Sequence, residues 1–178
     1  MACDVFALAN VGVQGLHPYQ PGKPIEELQR ELGLDSVVKL ASNENPLGPS
    51  PLAIAAAQTA LKQSHLYPDA SGFELKKKLA AKLAVHENQF TLGNGSNDVL
   101  DLIARTFLSA GSSAVFSQYA FIVYPIAVQA VGARAIVTPA KNWGHDLDAM
   151  AAAIEADTKV VFIANPNNPT GNYLGREA

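Results

Sequence analysis

The chain has 178 residues, of which 48% are hydrophobic and 16% are charged, and its formal net charge is −3. This composition is typical of a globular protein with a sizeable core, and it argues against intrinsic disorder. The only cationic run, Lys76–Lys78, is flanked by leucines and is typical of the solvated side of a helix, so we expect no nucleic-acid surface.

The cysteine content and the N-terminus predict a cytoplasmic protein without a membrane segment. The single cysteine, Cys3, excludes an intrachain disulfide framework and a cysteine-based zinc site. The apolar stretch from Val5 to Val13 lacks a basic region before it and is too short to span a bilayer, so we interpret it as a packing arm. The four histidines have no metal-ligand spacing, and no metal site is expected.

The first part of the chain is predicted to be largely irregular. Residues 1–24 contain six glycines and prolines, which favour an extended arm or loop. A helix is predicted at 25–32, with Gly33 at its end. Residues 37–41 have the pattern of a short strand, and 43–51, with three prolines, must be irregular.

From residue 50 onward, helical and strand patterns alternate. The helices are predicted at 50–63, 71–84, 96–108, 122–131 and 146–155. The strands are predicted at 90–92, 114–117, 134–138 and 159–164, the last of them continuously apolar and buried. Such repeated units predict an α/β fold with a mostly parallel sheet and helices on both faces. His145, directly before Asp146 at a predicted helix start, is interpreted as part of the helix cap.

Three segments of unusual composition are predicted to follow strands of this sheet. They are 93–98 (GNGSND), 117–121 (SQYAF) and 165–171 (NPNNPTG). Ligands of open α/β sheets bind at the carboxyl ends of the strands. We therefore expect the three segments to converge on one crevice, which is the main argument from the residues alone for a functional site.

Each segment has a functional and an ordinary interpretation. The glycines at 93–98 and the helix that follows, which Ser96 can cap, suit a bound phosphate, but an ordinary glycine turn has the same features. The three asparagines at 165–171 favour amide hydrogen bonds to a ligand over a plain Asn-Pro turn. Phe121 or Tyr119 could stack on a flat heteroaromatic ligand, and either could equally belong to the core.

With these motifs in view, the sequence resembles the N-terminal part of the histidinol-phosphate aminotransferase family, which are fold-type I enzymes that use pyridoxal phosphate. The resemblance runs from about Val13 to Ala178. Seven ordered motifs carry it: HPYQPG (17–22), KLASNENPLGPSP (39–51), YPDASG (67–72), LGNGSND (92–98), VYPIA (123–127), GHDLDAM (144–150) and ANPNNPTG (164–171). It implies an N-terminal arm with part of the small domain over 1–48, and an incomplete cofactor-binding large domain over 49–178.

The resemblance also implies roles for residues around the cofactor. Gly95, Ser96 and Asn97 are expected to hold its phosphate, which agrees with the independent argument for an anion site. Many relatives have an aspartate at the position of Asn97, so the role of that side chain stays open. Phe121 matches the family's aromatic-x-x-Tyr pattern and is expected to stack on the pyridine ring, with Tyr119 as the fallback.

Further implied contacts extend to a second subunit and to the substrate. Asn168 is expected to donate a hydrogen bond to the phenolic oxygen of the cofactor. Tyr67 is expected to reach the phosphate in the neighbouring subunit, which implies a homodimer with shared active sites. The residues expected near the substrate are Tyr19, Asn43, Glu44 and Asn45.

The activity that the resemblance implies is transamination of histidinol phosphate with 2-oxoglutarate in histidine biosynthesis. The Schiff-base lysine and the aspartate beside the pyridine nitrogen are expected beyond Ala178, so the chain contains no assigned catalytic residue and we expect it to be inactive alone. The alternatives are a phosphothreonine decarboxylase or an aromatic amino acid aminotransferase of the same family. A phosphate-binding α/β module is the non-enzymatic alternative.

Overall fold

The computed structural model describes residues 4–178, which form two compact units. The first unit combines the residues up to Tyr19 with Thr91–Ala178, and the second is Gln20–Phe90. Cys3 lies outside the described residues. Within 4–178, none of the helices has the length and apolar character that a membrane span requires.

The described residues contain seven α-helices, two short 3₁₀ turns and five strands. The helices are α1 (Val5–Leu8), α2 (Ile25–Leu32), α3 (Pro51–Ala60), α4 (Phe73–Leu83), α5 (Ser96–Phe107), α6 (Val123–Ala130) and α7 (Leu147–Ala152). The 3₁₀ turns are Leu61–Gln63 and Glu87–Gln89. The strands are β1 (Ser113–Ser117), β2 (Arg134–Thr138), β3 (Ala140–Lys141), β4 (Gly144–His145) and β5 (Thr158–Val161).

The second unit is built on three helices whose ends follow from the sequence. Helix α2 ends at Gly33 and helix α3 begins at Pro51, both as predicted. Proline suits the first turn of α3 because it has no N–H that would be left unpaired there. The carboxylate of Asp69 accepts hydrogen bonds from the backbone N–H groups of Ser71 (2.9 Å) and Phe73 (3.1 Å). These bonds, that of Ser71 first, lower the pKa of Asp69 and organise the start of α4.

Two predicted strands are absent from the described chain. Residues 37–41 alternate in exposure as a strand would, but no backbone partner pairs with them in the described residues, and they form no strand. Residues 90–92 lead irregularly into the glycine turn before α5. Both predictions were wrong because a short run of β-prone residues becomes a strand only when a neighbouring strand takes up its hydrogen bonds.

A three-stranded parallel sheet forms the centre of the first unit and confirms the predicted architecture. Strand β1 lies between β2 and β5, with Val115 opposite Ile136 on one side and Val161 on the other. Every residue of β1 is buried. Ala114 and Phe116 of β1 pack into one apolar cluster with α5 and α6, whereas Val115 points to the opposite face.

The last strand and the last helix are shorter than predicted. Strand β5 covers Thr158–Val161 instead of 159–164, and its residues alternate between half-buried and exposed rather than being continuously buried. It lies at one end of the described sheet, where only β1 pairs with it. Helix α7 ends before Ala153, and the side chain of Ile154 is exposed.

The backbone of the N-terminal arm lies against the end of α6, whereas the large apolar side chains of α1 are exposed. The side chains of Val5, Phe6 and Leu8 in α1 are exposed. Gly12, in contrast, lies so close to the end of α6 that a Cβ atom at this position would be 2.2 Å from the carbonyl oxygen of Gln129. Only glycine permits this approach.

Charged side chains join the start of β2 to the segment before β5. Arg134 donates hydrogen bonds to Glu155 (2.6 Å) and to Asp157 (3.0 Å), and the hydroxyl of Ser113 donates a further one to Asp157 (3.0 Å). The hydrogen bond from Arg134 is the main reason that the pKa of Asp157 is below its usual range. The ionised form of Asp157 is therefore favoured by the fold.

We expect part of the acid sensitivity of the fold to come from Asp157. Because its folded-state pKa is below the unfolded value of about 3.9, ionised Asp157 stabilises the fold above that value, and the stabilisation is lost as pH falls through the folded pKa. Asp157→Asn should therefore lower the urea midpoint near neutral pH and have little effect at about pH 2. Asp35→Asn, which changes an exposed carboxylate, is the control. An equal effect of Asp157→Asn at both pH values would contradict this.

Candidate functional site

A cavity of about 410 Å³ opens in the first unit beside the start of α5. Its lining consists of Ser96, Val99, Leu100, Phe121, Tyr124, Ala164 and Asn168. The structure brings together the three segments of unusual composition that were predicted to converge. Each segment contributes one lining residue: Ser96, Phe121 and Asn168. The volume falls in the range of about 300–1,000 Å³ that is usual for small-molecule pockets.

The polar end of the cavity is the start of α5. Gly95 precedes the helix with φ +84° and ψ 172°, a conformation that favours glycine, and a Cβ atom at this position would have no other atom within 4 Å. Ser96 is the first helical residue and not the cap, and it lines the cavity. Among the described residues no side chain caps this helix start, although Asp98 accepts a hydrogen bond from the N–H of Asn94 (2.9 Å). The uncapped first turn therefore suits an anion.

The aromatic wall of the cavity is formed by Phe121 and Tyr124. The two rings meet edge to face, with centroids 6.0 Å apart and an interplanar angle of 88°. Tyr124 in turn stacks on Phe162 at 4.6 Å, and burial raises the pKa of its hydroxyl. The fallback residue Tyr119 pairs instead with Trp143 at 5.0 Å and does not line the cavity. Tyr124, which is itself packed in the core, thus holds the ring of Phe121 in its orientation.

Tyr124 is a site residue to which the sequence assigned no role. It lines the cavity and also belongs to the apolar cluster behind it. Its backbone N–H donates a hydrogen bond to the carbonyl oxygen of Phe121 (3.0 Å), so the two aromatic residues are one turn apart. Their spacing in the sequence was the available signal, because it matches the aromatic-x-x-Tyr pattern.

The asparagines at 165–171 divide into structural residues and one residue that faces the cavity. The side chain of Asn165 exchanges two hydrogen bonds with the backbone of Leu174 (2.9 and 2.8 Å). Buried Asn167 donates to the carbonyl oxygen of Tyr119 (3.0 Å) and to the hydroxyl of Thr170 (2.7 Å). Asn168 lines the cavity, and its amide has no hydrogen-bond partner in the part of the chain that the structure describes. Its amide is therefore available to a ligand.

His145 does not take part in capping α7, so that prediction was wrong. Asp146 caps α7 by accepting a hydrogen bond from the N–H of Ala149 (3.1 Å). His145 is 7% exposed, and its Nε2 donates a hydrogen bond to the carbonyl oxygen of Ala164 (2.9 Å), a residue of the cavity lining. Sequence reasoning missed this contact because no local pattern pairs residue 145 with residue 164.

The remaining predicted residues are outside the cavity lining. They are Tyr19, Gly95 and Asn97 in the first unit, and Asn43, Glu44, Asn45 and Tyr67 in the second. Tyr67 is fully exposed. Glu44 pairs with Lys39 (2.7 Å), and Asn45 stabilises its own turn by donating to the carbonyl oxygen of Gly48 (2.9 Å). The structure therefore gives local partners to two of the residues predicted near the substrate.

Comparison with known proteins places these features in a family. Residues 35–178 match the family "Aminotransferase class I and II". The chain is 63% identical to histidinol-phosphate aminotransferase 2 of Pseudomonas fluorescens, in an alignment that covers 100% of this chain and 49% of that protein. It is 60% identical to histidinol-phosphate aminotransferase 2 of Pseudomonas aeruginosa, with 98% of this chain and 48% of that protein covered. The chain thus spans about half the length of the curated relatives it matches.

Solved structures show the same fold. The histidinol-phosphate aminotransferase of Sinorhizobium meliloti, solved in complex with pyridoxal-5'-phosphate, has a TM-score of 0.82 at 27% identity, covering 94% of this chain and 45% of that one. A putative histidinol-phosphate aminotransferase from Erwinia carotovora has a TM-score of 0.70 at 29% identity, covering 76% and 40%. The predicted incomplete fold-type I architecture and the resemblance read from the motifs are both confirmed. The chain belongs to the aminotransferase class I and II family.

Proposed function

We propose that this chain forms the cofactor-binding part of a pyridoxal-phosphate-dependent aminotransferase, and that the whole protein transfers an amino group between histidinol phosphate and 2-oxoglutarate. One observation carries the proposal: an uncapped helix start, an aromatic ring and an unpaired amide line a single cavity, through Ser96, Phe121 and Asn168. Histidinol phosphate as one substrate is supported by relatives at 55–63% identity that are named histidinol-phosphate aminotransferases. 2-Oxoglutarate as the other substrate is implied by the sequence resemblance. The cytoplasmic location predicted from the sequence belongs to the same proposal.

The groups around the cavity fit the chemical parts of pyridoxal phosphate. The backbone from Gly95 to Asn97 and the hydroxyl of Ser96 would bind the phosphate at the positive end of α5. Phe121 would stack on the pyridine ring, and the amide of Asn168 would donate a hydrogen bond to the phenolic oxygen. When bound, the cofactor supplies an electron sink that stabilises negative charge on the substrate carbon.

The contribution of this chain is to bind and orient the cofactor rather than to move the proton. Apolar residues such as Val99 and Leu100 would exclude water from one side of the ring, which strengthens the hydrogen bond from Asn168. A neutral amide at Asn168 favours an ionised phenolic oxygen without changing its own charge. No lysine of this chain is assigned to proton transfer.

The proposal includes a homodimer with shared active sites. Tyr67 is fully exposed in the second unit, so its hydroxyl is accessible to a partner subunit, where we propose that it binds the cofactor phosphate. Tyr19 and the segment 43–45 are proposed to lie near the substrate. The division into an arm with part of a small domain (1–48) and a cofactor-binding large domain (49–178) belongs to the same proposal.

Cofactor titration of the full-length natural protein tests the proposal. Pyridoxal phosphate added to the cofactor-free protein should produce a saturable visible absorption band, and inorganic phosphate should compete for the site. Amino transfer to 2-oxoglutarate should then be faster from histidinol phosphate than from aromatic amino acids, and phosphothreonine should not be decarboxylated. Binding of inorganic phosphate without any visible band would reject the enzyme and favour a phosphate-binding module.

A further inference from the structure

A small hairpin, β3–β4, holds the loop that carries Asn168. His145 at the end of β4 is buried, and its Nε2 donates a hydrogen bond to the carbonyl oxygen of Ala164, four residues before Asn168. Because a carbonyl oxygen can only accept, this nitrogen carries a proton. Nδ1 is buried and has no partner within the described residues. The ring therefore makes a single directed contact, and that contact is to a residue of the cavity wall.

The same hairpin also holds the far end of the loop. The side-chain amide of Asn172 donates a hydrogen bond to the backbone carbonyl oxygen of Asn142 in the hairpin turn (3.2 Å). The backbone carbonyl oxygen of Asn172 accepts a hydrogen bond from the backbone N–H of Asn167 (2.8 Å). Gly144 packs against Asn172 so closely that a Cβ atom there would be 3.3 Å from the Cβ of Asn172. The loop is thus fixed at Ala164 on one side and at Asn172 on the other.

We propose that His145 is a positioning residue for Asn168. By holding the carbonyl oxygen of Ala164, three residues after the end of β5, the imidazole fixes the start of the loop, and so fixes where the amide of Asn168 lies in the cavity. The segment between Ala164 and Asn168 has little freedom to move, because Asn165 and Asn167 are each held by side-chain hydrogen bonds. This inference rests on the proposed function, since it assigns the amide of Asn168 to the phenolic oxygen of pyridoxal phosphate.

The test compares two substitutions of His145 in the full-length protein. His145→Phe keeps a ring but removes the donor, whereas His145→Gln restores an N–H donor at a similar reach. We expect His145→Phe to weaken pyridoxal phosphate binding about tenfold, the effect of one net hydrogen bond, and His145→Gln to recover most of it. His145→Phe should also shift the pH midpoint of the visible band in the same direction as Asn168→Ala. In the cofactor-free protein it should speed amide hydrogen exchange at 165–172 but not in α6.

The outcomes separate this inference from the proposed function. His86→Phe is the matched control, because the side chain of His86 is exposed and its hydrogen bonds stay within residues 86–89. If the wild-type protein shows no visible band, the proposed function fails, and unchanged exchange at 165–172 in His145→Phe overturns the positioning role independently. If the band forms and His145→Phe lowers only the melting temperature, with the pH midpoint unchanged, His145 is merely structural and the inference is wrong.

Discussion

Asn168→Ala should lower kcat of the full-length protein by about 10²–10³, the usual effect of losing one well-placed donor in an active site, while leaving its stability almost unchanged. The reason lies in the hydrogen bonds of the loop. Within the described residues the amide of Asn168 has no partner, so the fold loses nothing when it is removed. The measurements are steady-state kinetics with histidinol phosphate and a urea unfolding curve. The pH midpoint of the visible band should also rise, because the ionised phenolic oxygen loses its donor.

The neighbouring asparagine gives the matched control. Asn167→Ala removes the hydrogen bonds to Tyr119 and Thr170, and at about 0.5–1.5 kcal/mol for each bond it should lower the free energy of unfolding by about 1–3 kcal/mol. Of these two adjacent substitutions, Asn168→Ala should thus lower kcat with little effect on stability, whereas Asn167→Ala should lower stability. A large loss of stability in Asn168→Ala, or normal kinetics at full occupancy of the cofactor, would contradict the assignment of its amide to the ligand.

The sequence predicts which segments converge on the cavity where the relevant signal is local. Glycines before a helix, a ring after a strand and amides after a second strand each have a chemical reason to be there, and the parallel architecture requires the three segments to meet. Ser96, Phe121 and Asn168 do line one cavity. The choice of Phe121 over Tyr119 came from the aromatic-x-x-Tyr spacing, and the structure places Phe121 alone of the two on the cavity.

The features that the sequence did not predict depend on contacts between distant residues. His145 and Ala164 are 19 positions apart in the sequence, and Asn167 and Tyr119 are 48 positions apart. Whether 37–41 forms a strand depends on a neighbouring strand, which β-propensity in the segment itself cannot supply. The half-exposed pattern of β5 reflects its position at one end of the described sheet, and its apolar composition alone did not reveal that.

The second large effect is expected in the core behind the cavity. Tyr124→Ala should lower the free energy of unfolding by about 3–5 kcal/mol, the cost of removing a large buried aromatic side chain. Tyr124 is almost fully buried and contacts three other rings: Phe162 at 4.6 Å, Phe121 at 6.0 Å and Phe116 at 6.3 Å. Its loss removes the edge against which Phe121 is held, so affinity for pyridoxal phosphate should fall as well. Urea unfolding and cofactor titration measure the two effects.

Tyr124→Phe distinguishes the ring from the hydroxyl. The phenylalanine keeps all three ring contacts, so the free energy of unfolding should change by less than about 1 kcal/mol, within the usual net contribution of a single polar group. Tyr173→Ala, which truncates an exposed tyrosine, controls for the loss of an aromatic side chain elsewhere and should have a small effect. If Tyr124→Phe were as destabilising as Tyr124→Ala, the hydroxyl rather than the packed ring would hold this wall of the cavity. Packing would then no longer explain the fixed orientation of Phe121.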